Sequence, residues 1–476
     1  MGMANQINFG TDGWRAIIAD GFTFKNVDLV TCAIGKFVLK NHSKDLPILI
    51  GYDTRFLAGN FANSSASELT SLGLNVLISN SFVPTPVVAY SATKLATNGA
   101  IQFTASHNPP QYLGIKYITS YGSPAPVEIT DEITNYIKEQ KLENKNSQSS
   151  AQFQTFDPKP NYFSHIKGLI DFNLIKNADL KIIYDPLFGA GSSYLDHILN
   201  EASCKTITIH NKKDPLFGGL LPEPKEEFLF DLRKSVISNN ANAGIATDGD
   251  ADRIGVMDRD GSYFSPNKIA SMLLRHLVKN KNLKGKVVRT LSTTHLMDHL
   301  AKNYNLEIIE TKVGFKWIAE EMQKGNVLIG AEESGGISIL NHIPDKDAIL
   351  SGALLCEMLA FERKSLDEIY KETLKDAKWN CVNDKFDLHL DEAQKNHLIS
   401  TLQSGRIKEI NGLKVKLINT IEGAKYLLED GSWFLARASG TEPMARVYFE
   451  AISDKILEEM KKELKKIISE TCLKSV

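Results

Sequence analysis

Short apolar runs alternate with segments of helical periodicity along most of this 476-residue chain. Runs such as PILIGYDT, LNVLISN and GAIQFTAS have the length and composition of buried strands, and helix-patterned segments such as FANSSASELTSLG separate them. Strands that alternate with helices are typical of parallel or mixed sheets covered by helices. The sequence therefore predicts an α/β architecture, and its length predicts several domains.

Interruptions of this pattern predict the domain organisation. The polar stretch ENKNSQSSAQ, at Glu143–Gln152, has too little apolar surface to bury and predicts a linker or exposed loop. A turn at Asp260–Gly261 begins a further α/β unit, which fades near Lys375, and the remaining strands are followed by one long helix. We therefore predict α/β domains at residues 1–150, 151–258 and 259–376, and an α+β domain at residues 377–476.

Charge and cysteine content limit the classes of ligand. The 55 Lys and Arg residues nearly balance the 57 Asp and Glu residues, so there is no overall basic field to hold nucleic acid or an anionic membrane. The five cysteines are scattered and form no C-x-x-C pair. Because the sequence also lacks a signal peptide and a long apolar run, we expect a cytoplasmic protein with small-molecule ligands and no membrane or nucleic-acid partner.

The segment TASHNPP, from Thr104 to Pro110, follows the apolar run GAIQF directly. A hydroxyl at the end of a parallel strand, followed by prolines that fix the backbone, lies at the edge where α/β sheets bind ligands. Ser106 is therefore a candidate nucleophile. A turn with a capping serine fits the same residues, because no G-x-S-x-G sequence surrounds Ser106.

The segment DGDADR, from Asp248 to Arg253, lies within a strand predicted over NAGIATDGDADRIGVMD. Three carboxylates at alternating positions repel one another unless a cation lies among them, and oxygen ligands suit a hard ion such as Mg²⁺. A calcium EF-hand is excluded, because its loop needs Gly and Glu where this chain has Arg253 and Arg259. An acidic surface turn is the alternative.

Two further segments carry polar side chains suited to a phosphorylated, hydroxyl-rich ligand. GAEESGG, at Gly330–Gly336, follows an apolar run and predicts hydrogen bonds to hydroxyls or, equally, a helix capping box. RASGTEP, at Arg437–Pro443, with Arg446 beyond it, predicts an anion cradle or an ordinary Ser/Gly turn. The sequence contains neither G-x-x-x-x-G-K-[ST] nor G-x-G-x-x-G, which excludes nucleotide sites of those types.

These four segments, one in each predicted domain, strongly resemble the α-D-phosphohexomutase family of phosphoglucomutases and phosphomannomutases. The resemblance extends from FGTDGWR at Phe9–Arg15 to RVYFEA at Arg446–Ala451. It implies three similar α/β domains with mixed sheets and a C-terminal, TATA-box-binding-protein-like α+β domain around a central cleft. It also implies an enzyme of the isomerase class that transfers a phosphoryl group within its substrate.

The resemblance implies a role for each site residue. Ser106 matches the serine that is phosphorylated in the active enzyme, and Lys116 matches a position suited to assist proton transfer at the substrate hydroxyl. A phosphoserine and three carboxylates carry a combined charge of about −5, which a divalent cation must offset. The implied Mg²⁺ ligands are Asp248, Asp250, Asp252 and a phosphoryl oxygen on Ser106. The other positions that line the reacting phosphoryl group are Arg15, His107 and Arg253. The implied contacts to the sugar and to the phosphate that does not react are Gly314, Glu332, Ser334, Lys346, Arg437, Ser439, Gly440, Thr441 and Arg446.

The implied reaction interconverts a sugar 1-phosphate and its 6-phosphate through a sugar 1,6-bisphosphate. The stretches Lys312–Trp317 and His342–Asp347 resemble the glucose-selective branch, in which Lys346 would replace the charge of a histidine that is absent at Gly336. We therefore expect a phosphoglucomutase with glucose 1,6-bisphosphate as activator and intermediate. The alternatives are a phosphomannomutase or dual-specificity enzyme, a phosphoglucosamine mutase, a phosphopentomutase, a sugar-bisphosphate synthase, and a regulator that binds sugar phosphates without turnover. The expected assembly is a monomer or homodimer.

Overall fold

The first domain is a mixed sheet with helices on both faces. The computed structural model describes residues 7–10, 12–139, 151–438 and 444–472. The strands and helices of this domain are β1 (Trp14–Ile17), β2 (Ile48–Tyr52), β3 (Val76–Ser79), β4 (Ala100–Phe103), β5 (Tyr112–Ile118), β6 (Phe153–Phe156), α1 (Phe24–Asn41), α2 (Ala58–Ser71), α3 (Thr85–Lys94) and α4 (Val127–Glu139). The strand order is β1-β5-β4-β2-β3-β6, with β5 antiparallel to β1 and β4. Successive residues of β2 point to opposite faces, so Leu49 joins one hydrophobic core while Ile48 and Ile50 join another.

The second domain repeats this mixed pattern. Its elements are α5 (Lys159–Leu169), α6 (Phe172–Lys176), β7 (Lys181–Asp185), α7 (Leu195–Glu201), β8 (Lys205–Thr208), α8 (Phe230–Ser238), β9 (Ala243–Thr247), β10 (Ile254–Asp258) and β11 (Tyr263–Phe264). The strand order is β11-β10-β9-β7-β8. The prediction of one strand over NAGIATDGDADRIGVMD is wrong, because β9 and β10 pair as an antiparallel hairpin, with Ile254 opposite Thr247. The chain reverses at Asp248, whose Oδ1 accepts hydrogen bonds of 2.9 Å and 3.0 Å from the N–H groups of Asp252 and Arg253.

The third domain contains a helix that is buried on all sides. The elements are α9 (Pro266–Lys279), β12 (Lys286–Thr290), α10 (Leu296–Asn303), β13 (Ile308–Thr311), α11 (Phe315–Gln323), β14 (Val327–Ala331), β15 (Ile337–Ile339), α12 (Ala348–Glu362) and α13 (Leu366–Ala377), and the strand order is β13-β12-β14-β15. Helix α12 is apolar around most of its circumference and packs against the second domain as well as its own. It begins after Asp347, whose carboxylate accepts a 2.8 Å hydrogen bond from the Leu350 N–H.

The fourth domain is an antiparallel sheet covered by two helices. Its elements are β16 (Val382–His389), α14 (Glu392–Gln403), β17 (Glu409–Ile410), β18 (Leu413–Asn419), β19 (Ala424–Leu428), β20 (Trp433–Ala438), β21 (Met444–Ala451) and α15 (Asp454–Cys472), and the strand order is β16-β21-β20-β19-β18-β17. Phe434 and Ala436 face the core below the helices, while Trp433 and Leu435 face the third domain. The expected architecture of three α/β domains and an α+β domain is confirmed.

The domain boundaries stay predictions. The first sheet extends past residue 150, since β6 pairs in parallel with β3, and the second sheet extends past residue 258, since β11 pairs with β10. Most of the predicted linker, residues 143–150, lies outside the described residues. No helix in the described ranges combines the length and the apolar character needed to cross a membrane.

Candidate active site

Ser106 lies just after β4, in a loop that is tightly packed against the second domain. The residue is buried, and its φ of 51° places it in the left-handed region that is costly for a side-chain-bearing residue. Its hydroxyl donates a 2.8 Å hydrogen bond to Oδ2 of Asp248 in the second domain. A Cβ on Gly249 would lie 2.6 Å from the Ser106 carbonyl oxygen, so the close approach of the two loops requires glycine there.

Arg55 holds the Ser106 loop in place and was not among the sequence-predicted residues. Its guanidinium is buried, lies 3.2 Å from the Asp53 carboxylate and donates hydrogen bonds to four loop carbonyls. The acceptors are the carbonyl oxygens of Ser106, Asn108, Pro109 and Tyr112. Arginine can satisfy several acceptors at once because its donors form a planar fork. The signal in the sequence was the DTR triplet directly after the apolar run of β2, the same strand-end pattern that identified Ser106.

The three predicted aspartates form a buried cluster of oxygen donors. Asp248, Asp250 and Asp252 are at most 1 % exposed, and one oxygen of each lies within 4.8 Å of the others. The acidic surface turn is therefore wrong. Oδ1 of Asp250 and Oδ1 of Asp252 are buried without a hydrogen-bond partner among the described residues. Buried carboxylate oxygens require compensation, and a set of oxygen-only donors fits Mg²⁺.

Two lysines bring positive charge to this cluster. Lys116 Nζ lies 3.0 Å from Oδ2 of Asp250, and Lys346 Nζ lies 3.3 Å from Oδ2 of Asp252. Burial alone would lower the pKa of Lys116, but Asp250 and Asp252 hold it above its usual value. Burial and the two neighbouring carboxylates raise the pKa of Asp248 well above its usual range. Lys116 is thus held as an ammonium group within the carboxylate cluster that also binds the Ser106 hydroxyl.

Arg15, His107 and Arg253 also lie around this cluster. Arg15 is on β1 and donates a hydrogen bond to Oδ1 of Asn108 in the Ser106 loop. Burial lowers the pKa of His107 well below its usual value, and Arg253 and Arg15 lower it further, so the imidazole is neutral. Arg253 Nε lies 3.8 Å from Oδ1 of Asp252, and this Nε, like His107 Nδ1, is buried without a hydrogen-bond partner among the described residues.

Glu332 and Ser334 lie in the turn between β14 and β15, so the helix capping box is wrong for this segment. Oε1 of Glu332 accepts a 3.1 Å hydrogen bond from the Gly314 N–H, which joins the two predicted sugar-contacting stretches. A Cβ on Gly336 would lie 2.2 Å from Cδ of Lys346. The Lys346 side chain therefore fills the space that the side chain of any residue larger than glycine at position 336 would need.

The predicted phosphate cradle is only partly described. Arg437 on β20 is paired in register with Arg446 on β21, so both side chains leave the same face of the sheet. Arg437 forms a 2.7 Å ion pair with Glu422, and Arg446 Nε lies 3.9 Å from Oδ1 of Asp387. Ser439, Gly440 and Thr441 lie outside the described residues.

Comparison with protein families identifies four consecutive matches. The matching models are described as phosphoglucomutase/phosphomannomutase alpha/beta/alpha domains I, II and III and the C-terminal domain, at residues 6–144, 160–261, 265–377 and 391–467. The chain belongs to the phosphoglucomutase/phosphomannomutase family. It is therefore a phosphohexomutase, an enzyme that transfers a phosphoryl group within a sugar phosphate.

Relatives with different sugar names match almost the whole chain. A phosphoglucomutase/phosphomannomutase of Thermococcus kodakarensis is 29% identical, with 94% of this chain and 95% of the relative covered. A phosphoglucosamine/phosphogalactosamine mutase of Sulfurisphaera tokodaii is 31% identical, with 97% and 98% covered. A solved structure provisionally named a phosphomannomutase, from Thermus thermophilus, has a TM-score of 0.86 at 31% identity, with 97% and 99% covered. The expected selectivity for glucose is not confirmed by these names.

Proposed function

We propose that this phosphohexomutase interconverts the 1-phosphates and 6-phosphates of both glucose and mannose, with Ser106 as the residue that carries the transferred phosphoryl group. The observation that supports this most directly is the 2.8 Å hydrogen bond from the Ser106 hydroxyl to Asp248, within a buried cluster of three carboxylates and Lys116. Seryl oxygen, metal-binding carboxylates and a cation are the groups that phosphoryl transfer requires.

In the proposed reaction, the phosphorus–oxygen bond to Ser106 breaks as a bond to the sugar hydroxyl forms. The proton lost by the sugar hydroxyl is taken up by the Ser106 oxygen as that oxygen leaves, and the Lys116 ammonium, held 3.0 Å from Asp250, hydrogen-bonds to the oxygens that exchange it. The exchange runs in reverse when the other phosphate transfers back to Ser106. Asp248, Asp250 and Asp252 would hold Mg²⁺, which polarises phosphoryl oxygens when bound. Between the two transfers the bound intermediate is the hexose 1,6-bisphosphate. Its phosphate that does not face Ser106 is held by Arg437 and Arg446.

The environment of Lys346 supports activity on more than one sugar. This ammonium group lies 3.3 Å from Asp252 and 5.7 Å from the centre of the Phe315 ring, and its stem packs beside Gly336. A lysine ammonium presents three rotatable N–H donors, so it can donate to hydroxyls whose positions differ between epimers. The relatives' names include both glucose and mannose. They agree better with activity on both sugar phosphates than with selectivity for glucose.

The test is the conversion of glucose 1-phosphate and mannose 1-phosphate with Mg²⁺ and a trace of glucose 1,6-bisphosphate. We expect kcat/KM values within about tenfold of each other, since one displaced hydroxyl changes few contacts. A preference for glucose of about a thousandfold or more would restore glucose selectivity. Glucosamine 1-phosphate belongs in the same panel, because the Sulfurisphaera relative is named for hexosamine substrates. A clear preference for it would make phosphoglucosamine mutase the function.

The Glu332 carboxyl should make catalysis sensitive to pH near neutrality. Burial raises its pKa to about 7, although Lys346 opposes the shift. Protonation removes acceptor capacity for sugar hydroxyls, so kcat/KM should fall by about tenfold for each pH unit below the pKa. Ionisation of the substrate phosphate affects the kcat/KM of wild type and of a Glu332→Gln variant equally. The variant therefore serves as the control. We expect the ratio of wild-type to variant kcat/KM to decrease as the pH falls through about 7; a constant ratio would contradict the assignment.

A further inference from the structure

Glu422 connects the third and fourth domains at the predicted substrate-binding loops. It lies just before β19, and its two carboxylate oxygens have different partners. Oε1 lies 2.7 Å from Nη2 of Arg437, on the strand that leads into the predicted phosphate cradle. Oε2 accepts a 2.7 Å hydrogen bond from the Val313 N–H of the third domain. One side chain therefore contacts both the phosphate-binding arginine and the loop before α11.

The contact to Val313 is adjacent to the sugar-contacting residue Glu332. The next N–H group along the chain, that of Gly314, donates a 3.1 Å hydrogen bond to Oε1 of Glu332. Two consecutive backbone N–H groups are thus bound by two carboxylates, one from each domain. Displacement of Glu422 relative to Glu332 must therefore either break one of these hydrogen bonds or distort this stretch of backbone.

The surrounding packing holds Glu422 at this position. Val313 packs against an apolar cluster at the interface of the two domains, which contains Leu291, Trp433, Leu435 and Tyr448. Gly423 has a φ of +74°, and a Cβ on it would lie 2.2 Å from the Ala436 carbonyl oxygen. The turn therefore lies directly against β20, next to Arg437, and only glycine permits that approach.

Arg437 depends on Glu422 for its charge balance and orientation. Burial alone would lower the pKa of the guanidinium, but Glu422 holds it above its usual value. Nε of Arg437 is buried and has no hydrogen-bond partner within the described ranges. Glu422 contacts Nη2 rather than Nε, so the Nε–H keeps a donor for an anion that reaches this side of the guanidinium.

We propose that Glu422 is a positioning residue that orients Arg437 toward the non-reacting phosphate of the hexose phosphate and keeps it in register with the sugar-contacting loop. This inference rests on the proposed function, because it needs Arg437 to bind a substrate phosphate. The carboxylate determines the separation between the phosphate contact and the sugar contact. Both contacts can then be made at the same time, whichever end of the hexose phosphate faces Ser106.

The experiment compares kcat and KM for glucose 1-phosphate in wild type, Glu422→Gln and Glu429→Gln. Glutamine keeps the shape and one oxygen acceptor of Glu422 but removes the charge opposite Arg437. We expect KM to rise about tenfold in Glu422→Gln with kcat changed by less than about twofold. Glu429 is the matched control, because it is an exposed carboxylate that accepts a hydrogen bond from the Lys414 N–H in the same sheet.

A double-mutant cycle tests whether Glu422 acts through Arg437. If it does, the KM of the Glu422→Ala/Arg437→Ala double variant should be less than about twofold above the KM of Arg437→Ala, since the oriented group is already absent. Independent, multiplicative effects would overturn the inference, as would an unchanged KM in a folded Glu422→Gln protein. Absence of hexose phosphate turnover in both wild type and Glu429→Gln would instead overturn the proposed function, and this inference with it.

Discussion

Replacement of Ser106 by alanine should lower the turnover of hexose 1-phosphate at least about a thousandfold, because it removes the oxygen that carries the phosphoryl group. The variant should also take up no phosphoryl group from glucose 1,6-bisphosphate, as measured by the intact mass of the protein. The hydroxyl is buried and hydrogen-bonded to Asp248, within the carboxylate cluster proposed to bind Mg²⁺.

Ser91→Ala is the matched control for this variant. Ser91 is a buried serine on α3 whose hydroxyl donates to the Val87 carbonyl oxygen, so its loss tests the general cost of removing a buried hydroxyl. We expect normal turnover and normal phosphorylation in this control. Retention of more than about a tenth of wild-type turnover by Ser106→Ala would exclude the phosphoserine mechanism.

Replacement of Asp252 by asparagine should abolish most of the effect of Mg²⁺ on both stability and activity. A ligand present at about 100 times its dissociation constant stabilises the native state by about 2.7 kcal/mol, which a thermal unfolding series at rising Mg²⁺ concentration can measure. We expect wild type to show this stabilisation and Asp252→Asn to show little of it. Turnover should fall by about a hundredfold or more, as it should for wild type in excess EDTA.

Asp260→Asn is the control for the loss of one negative charge in the same domain. Asp260 lies in the exposed turn before β11, where its carboxylate accepts hydrogen bonds from Ser262. This variant should keep the wild-type response to Mg²⁺. An Asp252→Asn protein that is stabilised by Mg²⁺ as strongly as wild type would show that the ion binds elsewhere.

The strand-end pattern was sufficient to find the Ser106, Asp248 and Glu332 segments one by one. Arg15 and Lys116, which lie within β1 and β5, were identified only through the family resemblance. Ser106 follows β4, Asp248 follows β9 and Glu332 follows β14, and in each case a polar group comes directly after a buried apolar run. The pattern depends only on neighbouring residues in the sequence, so it can be recognised without knowledge of the fold. It also marked Arg55 after β2, but a positive charge in that place has no obvious acceptor until the carbonyls of the Ser106 loop surround it.

Sugar selectivity was the weakest inference from the sequence, for a physical reason. Selection between epimers depends on where a few donors and acceptors lie around one carbon atom. The sequence shows that Gly336 and Lys346 are present, but only the folded chain shows that the stem of Lys346 occupies the space beside Gly336. A resemblance in local sequence therefore predicted a narrower specificity than the names of the relatives support.

The sequence by itself determined the α/β and α+β architecture and the separate functional segments, because periodicity and strand-end chemistry are local properties. The resemblance of those segments to a known family identified the family. Only the tertiary structure decided which segments meet. Asp248 and Ser106 are 142 positions apart in the chain, yet they share a hydrogen bond. The link from Glu422 to Val313, across 109 positions, likewise has no local signal. Such contacts depend on how whole domains pack against one another, and that packing is the sum of many weak interactions spread over the entire chain.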